Sequence, residues 1–338
     1  MKAIVLVKTG HPDTAFEIQE RAIPNPKPDE VLIKTEGFGI NYADTMARKG
    51  LYPDAPPLPS VLGYEVVGRV EGVGNQVDKN LIGKRVVGFT RFGGYAQYAV
   101  TNELAVAEIP EDMPMGEATA LATQYATAYF AIYETVRLHP GDKVLVHSAA
   151  GGVGIALTQM AKLQGCEVFG TAGSDAKIEF IKKNGVDHAI NYSKQDYQAE
   201  MKKILGKGRI DVAFNAVGGK SFKKDWKLIG SGGRVVLYGM AARRGGHLAG
   251  LKILWQMGLI IPATLIMSSK SLIGVNMLRM ADNQPLVIQR CIKEIIKLAA
   301  DGKLKPYCGK TFPAEQIGDA QLYLENRQSI GKVAVSWK

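Results

Sequence analysis

Along the middle of the chain, short apolar runs alternate with segments of helical spacing. The runs are Lys143–His147, Glu167–Thr171, Ala189–Tyr192, Asp211–Asn215, Arg234–Tyr238 and Ser271–Val275. Between them, residues near 155–164, 175–183, 195–204 and 221–229 are built from helix formers. Six strands in such alternation predict a doubly wound parallel sheet of α/β class. The region before about residue 110 has another texture. Val31–Thr35, Val66–Val73, Lys84–Phe89 and Gly93–Val100 are short strand-like runs cut by Gly and Pro, and the patch Pro53–Pro59 reads as loop. That part predicts a barrel-like all-β region. Met115 to Glu134 reads as helix, and helices near 285–300 and 314–325 precede a last strand, Lys332–Ser336. The final stretch makes no domain alone. It is expected to return to the N-terminal β region, which leaves the α/β domain inserted in the middle.

Composition fits this picture without redirecting it. The chain has 338 residues, 46% of them hydrophobic and 22% charged, which suits two globular domains. Cys166, Cys291 and Cys308 lie far apart, which excludes a disulfide framework and a Cys-x-x-Cys zinc site and fits a reducing, cytoplasmic setting. Met1–Lys8 reads as a first strand rather than a signal peptide, because its apolar part is too short. The longest apolar run, Ile253–Met267, contains Gln256 and Pro262 and falls short of the ~20 residues of a membrane span. It is expected to be buried or substrate-facing, with no transmembrane segment. The net charge is +10, but the cations are scattered, the densest group being Arg243 and Arg244 with Lys252. A solvated surface is the expectation, and no nucleic-acid partner.

The turn Ala149-Ala150-Gly151-Gly152-Val153-Gly154 sits between the first run and its helix. Strand, glycine-rich turn and helix are the context of a dinucleotide fingerprint. Glycines let the backbone approach a pyrophosphate, which the N–H groups of the helix start then receive. Ser148 and Ala149 stand where a first glycine is usual. The second strand ends Thr171-Ala172-Gly173-Ser174-Asp175-Ala176-Lys177. A carboxylate at a strand end of this kind binds a ribose 2′-hydroxyl, whereas hydroxyl and cationic groups accept a 2′-phosphate. Thr171 and Ala172 are uncharged, Glu167 comes too early, and Ser174 and Lys177 favour NADPH, with Asp175 weighing slightly against it. Ser174 is also a plausible helix cap, and Lys177 a plausible surface residue. Ligands sit beyond the carboxyl ends of parallel strands. Asn215-Ala216-Val217-Gly218, Tyr238-Gly239-Met240 and Val275-Asn276 are therefore further candidates.

Several motifs in order carry a resemblance. They are Gly39-Ile40-Asn41-Tyr42-Ala43-Asp44, Arg48-Lys49-Gly50-Leu51-Tyr52-Pro53, Leu62-Gly63-Tyr64-Glu65-Val66-Val67-Gly68, Thr127-Ala128-Tyr129, the Ala150–Gly154 turn, Thr171–Ser174 and Gly331-Lys332. Together they resemble a zinc-independent medium-chain dehydrogenase/reductase of the quinone oxidoreductase (zeta-crystallin-like) group. Val146–Gly154 and Val235–Ala241 are similar to the vesicle amine transport protein branch. The resemblance implies a Rossmann sheet inserted in a GroES-like β-barrel catalytic domain, with residues 1–122 and 273–338 forming the catalytic domain and 123–272 the NADP-binding domain. It implies NADPH and a homodimer. It places Asn41 and Thr127 at the nicotinamide, Ala150, Gly151, Gly152, Val153 and Gly154 at the pyrophosphate, and Ser174, Lys177 and Tyr192 at the 2′-phosphate. Asn215, Val217, Tyr238, Gly239, Val275, Asn276 and Lys332 would border the cofactor, and Tyr52 the substrate.

Zinc-dependent members carry Gly-His-Glu and a cysteine ligand in the first domain. Here the segment reads Gly63-Tyr64-Glu65, no cysteine precedes Cys166, and His11 is the only histidine before His139, so no catalytic zinc is expected. Without a Lewis acid the acceptor must delocalise charge itself, as a quinone or an α,β-unsaturated carbonyl does. Hydride then passes from the nicotinamide, and a proton follows from solvent or a phenol, with Tyr52 and Tyr64 as candidates and Asn41 beside them. Tyr64 can equally be a ring that fills the place of the missing histidine. The alternatives are an enoyl-thioester reductase, or a non-enzymatic lipid-, membrane- or RNA-associated protein that retains NADPH. Peripheral membrane association through 253–267 with Arg243, Arg244 and Lys252 belongs to that last reading.

Overall fold

The computed structural model describes residues 1–242 and 247–337, and side-chain surroundings outside 243–249. The chain forms two compact units, Met1–Ala126 with Met277–Lys338, and Thr127–Asn276.

The first unit is built of strands β1 (Lys2–Leu6), β2 (Phe16–Glu20), β3 (Glu30–Ile40), β4 (Ser60–Val61), β5 (Glu65–Val73), β6 (Arg85–Phe89), β7 (Tyr98–Asn102) and β8 (Val106–Glu108). Two strands from the far end of the chain, β15 (Cys308–Pro313) and β16 (Lys332–Ser336), join them. One sheet runs β15-β16-β3-β5-β6-β8 with β7 also on β3, and a smaller one runs β2-β1-β4. The long β3 can serve β7 and β16 because its register shifts between Thr35 and Gly37, where it turns from one partner to the other. Alternate residues of these strands point inward, so Ile33, Phe38, Val66, Val86, Val333 and Val335 form one core. The predicted strand at Gly93–Val100 starts only at Tyr98. Phe92 and Gly93 have φ of 96° and 85°, which breaks the extended run, and Tyr95 N–H turns aside to Leu62 O at 2.9 Å. The predicted helix over 115–134 is real but uneven, with π-helical turns at Leu121–Tyr125 and Phe130–Val136.

The second unit holds β9 (Lys143–Val146), β10 (Glu167–Ala172), β11 (His188–Asn191), β12 (Ile210–Asn215), β13 (Ile229–Leu237) and β14 (Ser271–Gly274). The order β11-β10-β9-β12-β13-β14 is parallel throughout. Val144, Leu145 and Val146 of the central strand are all fully buried, as befits a strand covered on both faces. Strand order reverses between β9 and β12, and the crevice at their carboxyl ends is where such sheets take ligands.

The segment 253–267 is exposed for the most part, which overturns the buried alternative. Two helices, His247–Met257 and Pro262–Ser268, carry it. Ile253 is buried, but most of the other large apolar side chains are exposed.

Candidate functional site

The turn after β9 is held from both neighbouring strands. His147 N–H donates to Phe214 O and Ala149 N–H to Thr171 O, each at 3.0 Å. Ser148, in place of the usual first glycine, has φ 53°, a conformation serine adopts at some cost. Gly151 N–H closes the turn on Ser148 O at 2.8 Å, and the helix Gly152–Leu163 begins at once. A Cβ on Gly154 would lie 2.4 Å from Ser148 O and 2.7 Å from Ala149 Cα. Only glycine lets the helix press this close to the turn. No side chain caps that helix start, and its first N–H groups have no intrahelical acceptor. The cradle therefore fits a pyrophosphate.

At the end of β10, Ser174 caps the helix Asp175–Lys183, its hydroxyl accepting Lys177 N–H at 3.4 Å. The capping and ligand readings of Ser174 are compatible, since the hydroxyl stays exposed at the helix start. Asp175 is neutralised locally, accepting from Asn191 at 3.0 Å and Lys194 at 2.7 Å, and those bonds hold its carboxyl below the usual range. Tyr192 lies over Gly173, where a Cβ would meet its hydroxyl at 2.6 Å. Ser193 Oγ donates to Gly173 O at 3.0 Å. The ends of β10 and β11 thus bring Ser174 and Tyr192 to one place and add a cation, Lys194, that the sequence reading missed.

Behind these strand ends lies a buried polar network. Asp225, fully buried, accepts from His147 Nε2 at 2.9 Å and from the Tyr197 hydroxyl at 2.9 Å, and also from Asn215 Nδ2. His147 Nδ1 meets Thr171 Oγ1 at 3.2 Å. Asn215, its amide held by Asp225, turns its Oδ1 to the N–H groups of Val217 at 2.7 Å and Gly218 at 2.8 Å. One carboxylate thereby fixes the ends of β9, β10 and β12 together. Burial and the Asp225 charge push the Tyr197 phenol far up, so it stays a donor. The loop after β13 joins the same cluster, with Tyr238 N–H on Asn215 O at 3.3 Å and Ala241 N–H on Ala216 O at 2.9 Å. Val275 N–H follows on Leu237 O at 2.9 Å.

The barrel unit carries its own charged centre. Glu65 and Lys332, both with no exposed side-chain surface, form an ion pair. Asn41 donates to the two Glu65 oxygens at 2.8 and 3.0 Å and accepts from Lys332 at 3.1 Å. Gly39 makes room, because a Cβ there would lie 2.1 Å from both Glu65 and Lys332. Asp44 Oδ2 accepts Asn41 N–H at 2.8 Å, and Oδ1 is buried as well. Burial raises the Asp44 carboxyl to about 7, against the helix-start N–H of Asn41 and with Glu65 adding to the rise. Tyr64 is buried against Phe92 at 5.1 Å and edge-on to Tyr52 at 6.3 Å between ring centroids. Burial, then the Asp44 charge, raises its phenol far above the ordinary value.

Both parts match known families. Residues 27–111 match the alcohol dehydrogenase GroES-like domain and residues 152–295 the zinc-binding dehydrogenase domain. The human synaptic vesicle membrane protein VAT-1 homolog is 34% identical over 96% of this chain and 83% of its own length. This chain belongs to the zinc-independent quinone oxidoreductase group of the medium-chain dehydrogenase/reductases, near VAT-1. Among solved structures, Escherichia coli quinone oxidoreductase complexed with NADPH superposes with a TM-score of 0.87 at 26% identity, covering 99% of this chain and all of the other. The CurK enoyl reductase superposes with a TM-score of 0.86 at 27% identity, over 99% and 98% of the two chains.

Within this medium-chain dehydrogenase/reductase family member the predicted residues fall into two sets. Ala150–Gly154, Ser174, Tyr192, Asn215, Val217, Tyr238, Gly239 and Val275 lie on or beside the carboxyl ends of the parallel sheet. Lys177 follows Ser174 on the same helical turn, and Thr127 and Asn276 are the terminal residues of that unit. Asn41, Tyr52, Tyr64 and Lys332 belong to the barrel unit. Lys332 holds its ammonium on Glu65 and Asn41, with no exposed side-chain surface. Arg243 and Arg244 lie outside the described residues. His147, Asp225 and Tyr197 escaped the sequence reading. Their signal was faint: a histidine directly before the glycine turn, and the one acid in the lysine-rich helix Lys220–Leu228.

Proposed function

We propose that this protein is an NADPH-dependent reductase that delivers hydride to a quinone or an α,β-unsaturated carbonyl. The observation that carries the cofactor choice is the strand end Thr171–Lys177. It offers Ser174, Tyr192 and Lys177 for a phosphate, and its one acid, Asp175, is already held by Lys194 and Asn191. NADPH, when bound, supplies the hydride. The chain's own residues bind and orient it: the Gly151–Gly154 turn takes the pyrophosphate, and the Asn215–Gly218 turn, shaped by Asp225, borders it. In the barrel, Tyr52 positions the acceptor, and Tyr64, a weak acid in its buried setting, stays protonated.

Titration of NADPH and NADH fluorescence tests this reading. NADPH is expected to bind at least ~10-fold tighter than NADH, because a 2′-phosphate gains charge-assisted hydrogen bonds. Substituting Lys177→Ala and Ser174→Ala together should remove most of that preference. Equal affinity for the two cofactors in the unmodified protein would defeat the reading.

A second reading, reduction of enoyl thioesters, is favoured by the fold shared with an enoyl reductase. Turnover of a crotonyl thioester well above that of quinones would select it. The proposal includes a homodimer, for which β14 offers an outer edge unpaired among the described residues, and a cytoplasmic setting for the free thiols Cys166, Cys291 and Cys308.

A further inference from the structure

The end of β10 carries an acid where a phosphate has to be received. Asp175 opens the helix that Ser174 caps, one residue after that hydroxyl and two before Lys177. An uncovered carboxylate there would repel a phosphate dianion, because like charges a few ångströms apart oppose each other. Asp175 is covered from the next strand. Ala172 of β10 lies opposite Asn191 of β11, so the turn that follows β11 runs beside Gly173. Lys194 N–H closes that turn on Asn191 O at 3.1 Å, and Ser193 N–H donates to Asn191 Oδ1 at 3.1 Å. Ser193 Oγ then ties the turn to Gly173 O at 3.0 Å. From this platform Asn191 Nδ2 reaches Asp175 Oδ1 at 3.0 Å, and Lys194 Nζ reaches Oδ2 at 2.7 Å. Each carboxylate oxygen therefore has its own donor.

The two donors differ in kind. Asn191 is buried, and its amide oxygen is held by Ser193 N–H, so its side chain is fixed. The side chains of Lys194 and Asp175 are 65% and 70% exposed, and an ion pair set so far into water adds little to stability. Its effect lies in the local charge. Between Gly173 and Lys177 and along the Asn191–Lys194 turn, the charged side chains are Asp175, Lys177 and Lys194. With Lys194 they leave one positive charge over, and without it none. An ammonium has three donors, of which Asp175 takes one, so Lys194 can hold the carboxylate and still donate to a phosphate. NADH carries a neutral hydroxyl where NADPH carries that phosphate, and it gains little from a cation there.

We propose, on the reading of Ser174, Lys177 and Tyr192 as a phosphate site, that Lys194 determines specificity for NADPH by covering Asp175 and donating to the 2′-phosphate. Fluorescence titration of the full chain with NADPH and with NADH tests this in three variants. Lys194→Ala should weaken NADPH at least ~10-fold and NADH less than about twofold, since only the phosphate loses a charge-assisted partner. Adding Asp175→Asn to Lys194→Ala should recover at least ~3-fold of the lost NADPH affinity, because neighbouring charges couple and the uncovered carboxylate is then gone. Asp175→Asn alone should bind NADPH at least as tightly as the unmodified protein. Raised salt should weaken NADPH binding more in the unmodified protein than in Lys194→Ala. A lysine that only supports the turn would weaken both cofactors alike, and Asp175→Asn would not rescue its loss; that result overturns the proposal. If the unmodified protein prefers NADPH and Lys194→Ala keeps the same preference, Lys194 is not the determinant and the phosphate site stands without it. If the unmodified protein binds the two cofactors equally, the phosphate site itself is refuted, and the role of Lys194 with it.

Discussion

Asp225 shows how one side chain can govern a site it does not reach. It is fully buried and accepts from His147, Tyr197 and Asn215, and through Asn215 it sets the turn at Val217 and Gly218. Asp225→Asn leaves buried donors facing an amide, which should destabilise the protein by about 2 kcal/mol in urea unfolding, the scale of a buried donor left unsatisfied. NADPH affinity should fall with it. Tyr197→Phe removes one donor only and should cost about 1 kcal/mol. Asp44 makes a prediction about pH. Unfolded, it titrates near 3.9; folded, burial holds it near 7. Between those values the folded state carries the extra proton, so this group's contribution is full below the lower value and lost as pH rises through 7. The slope approaches about 1.4 kcal/mol per pH unit. Asp44→Asn should flatten the fall in stability from pH 5 to 8 and raise the melting temperature above pH 7, read by thermal unfolding across that range.

At the scale of elements, the parallel sheet was legible because each of its strands is an apolar run bounded by turn residues. β9, β10 and β12 are buried on both faces, so nothing in their tertiary setting competes with that pattern. The barrel was less legible. β3 changes partner at Thr35 and Gly37, and Phe92 and Gly93 break the run before Tyr98 through positive φ, neither of which periodicity reveals. The apolar segment 253–267 is exposed rather than buried, because hydrophobicity alone does not say which way a surface helix faces. The glycine turn is where element and site meet. Gly154→Ala puts a Cβ 2.4 Å from Ser148 O, so the helix must move away from the turn. We expect at least a ~10-fold loss of NADPH affinity, measured by fluorescence titration, because misplacing donors by a fraction of an ångström forfeits short charge-assisted bonds. Of the site as a whole, glycines and strand ends could be read from the sequence, whereas His147 with Asp225, far apart in the chain, could be joined only by the fold.

At the scale of the whole molecule, the two units carry different chemistry. The parallel sheet holds the nucleotide candidates, and the barrel holds Tyr52, Tyr64 and the buried Asn41–Glu65–Lys332 cluster. The position of a zinc-binding histidine is filled by Tyr64, packed between Tyr52 and Phe92, so the chemistry proposed for this family member uses an acceptor that stabilises its own charge. The central claim is that the chain reduces such acceptors with NADPH. It is tested most directly by following cofactor oxidation with a panel of quinones, enones and enoyl thioesters, each with NADPH and with NADH. The account predicts turnover of a quinone or an enone, with kcat/KM for NADPH at least ~10-fold above that for NADH, as a 2′-phosphate site whose one acid is already paired requires. Turnover driven equally by NADH, or no oxidation of NADPH with any acceptor by protein that binds it, would contradict the account.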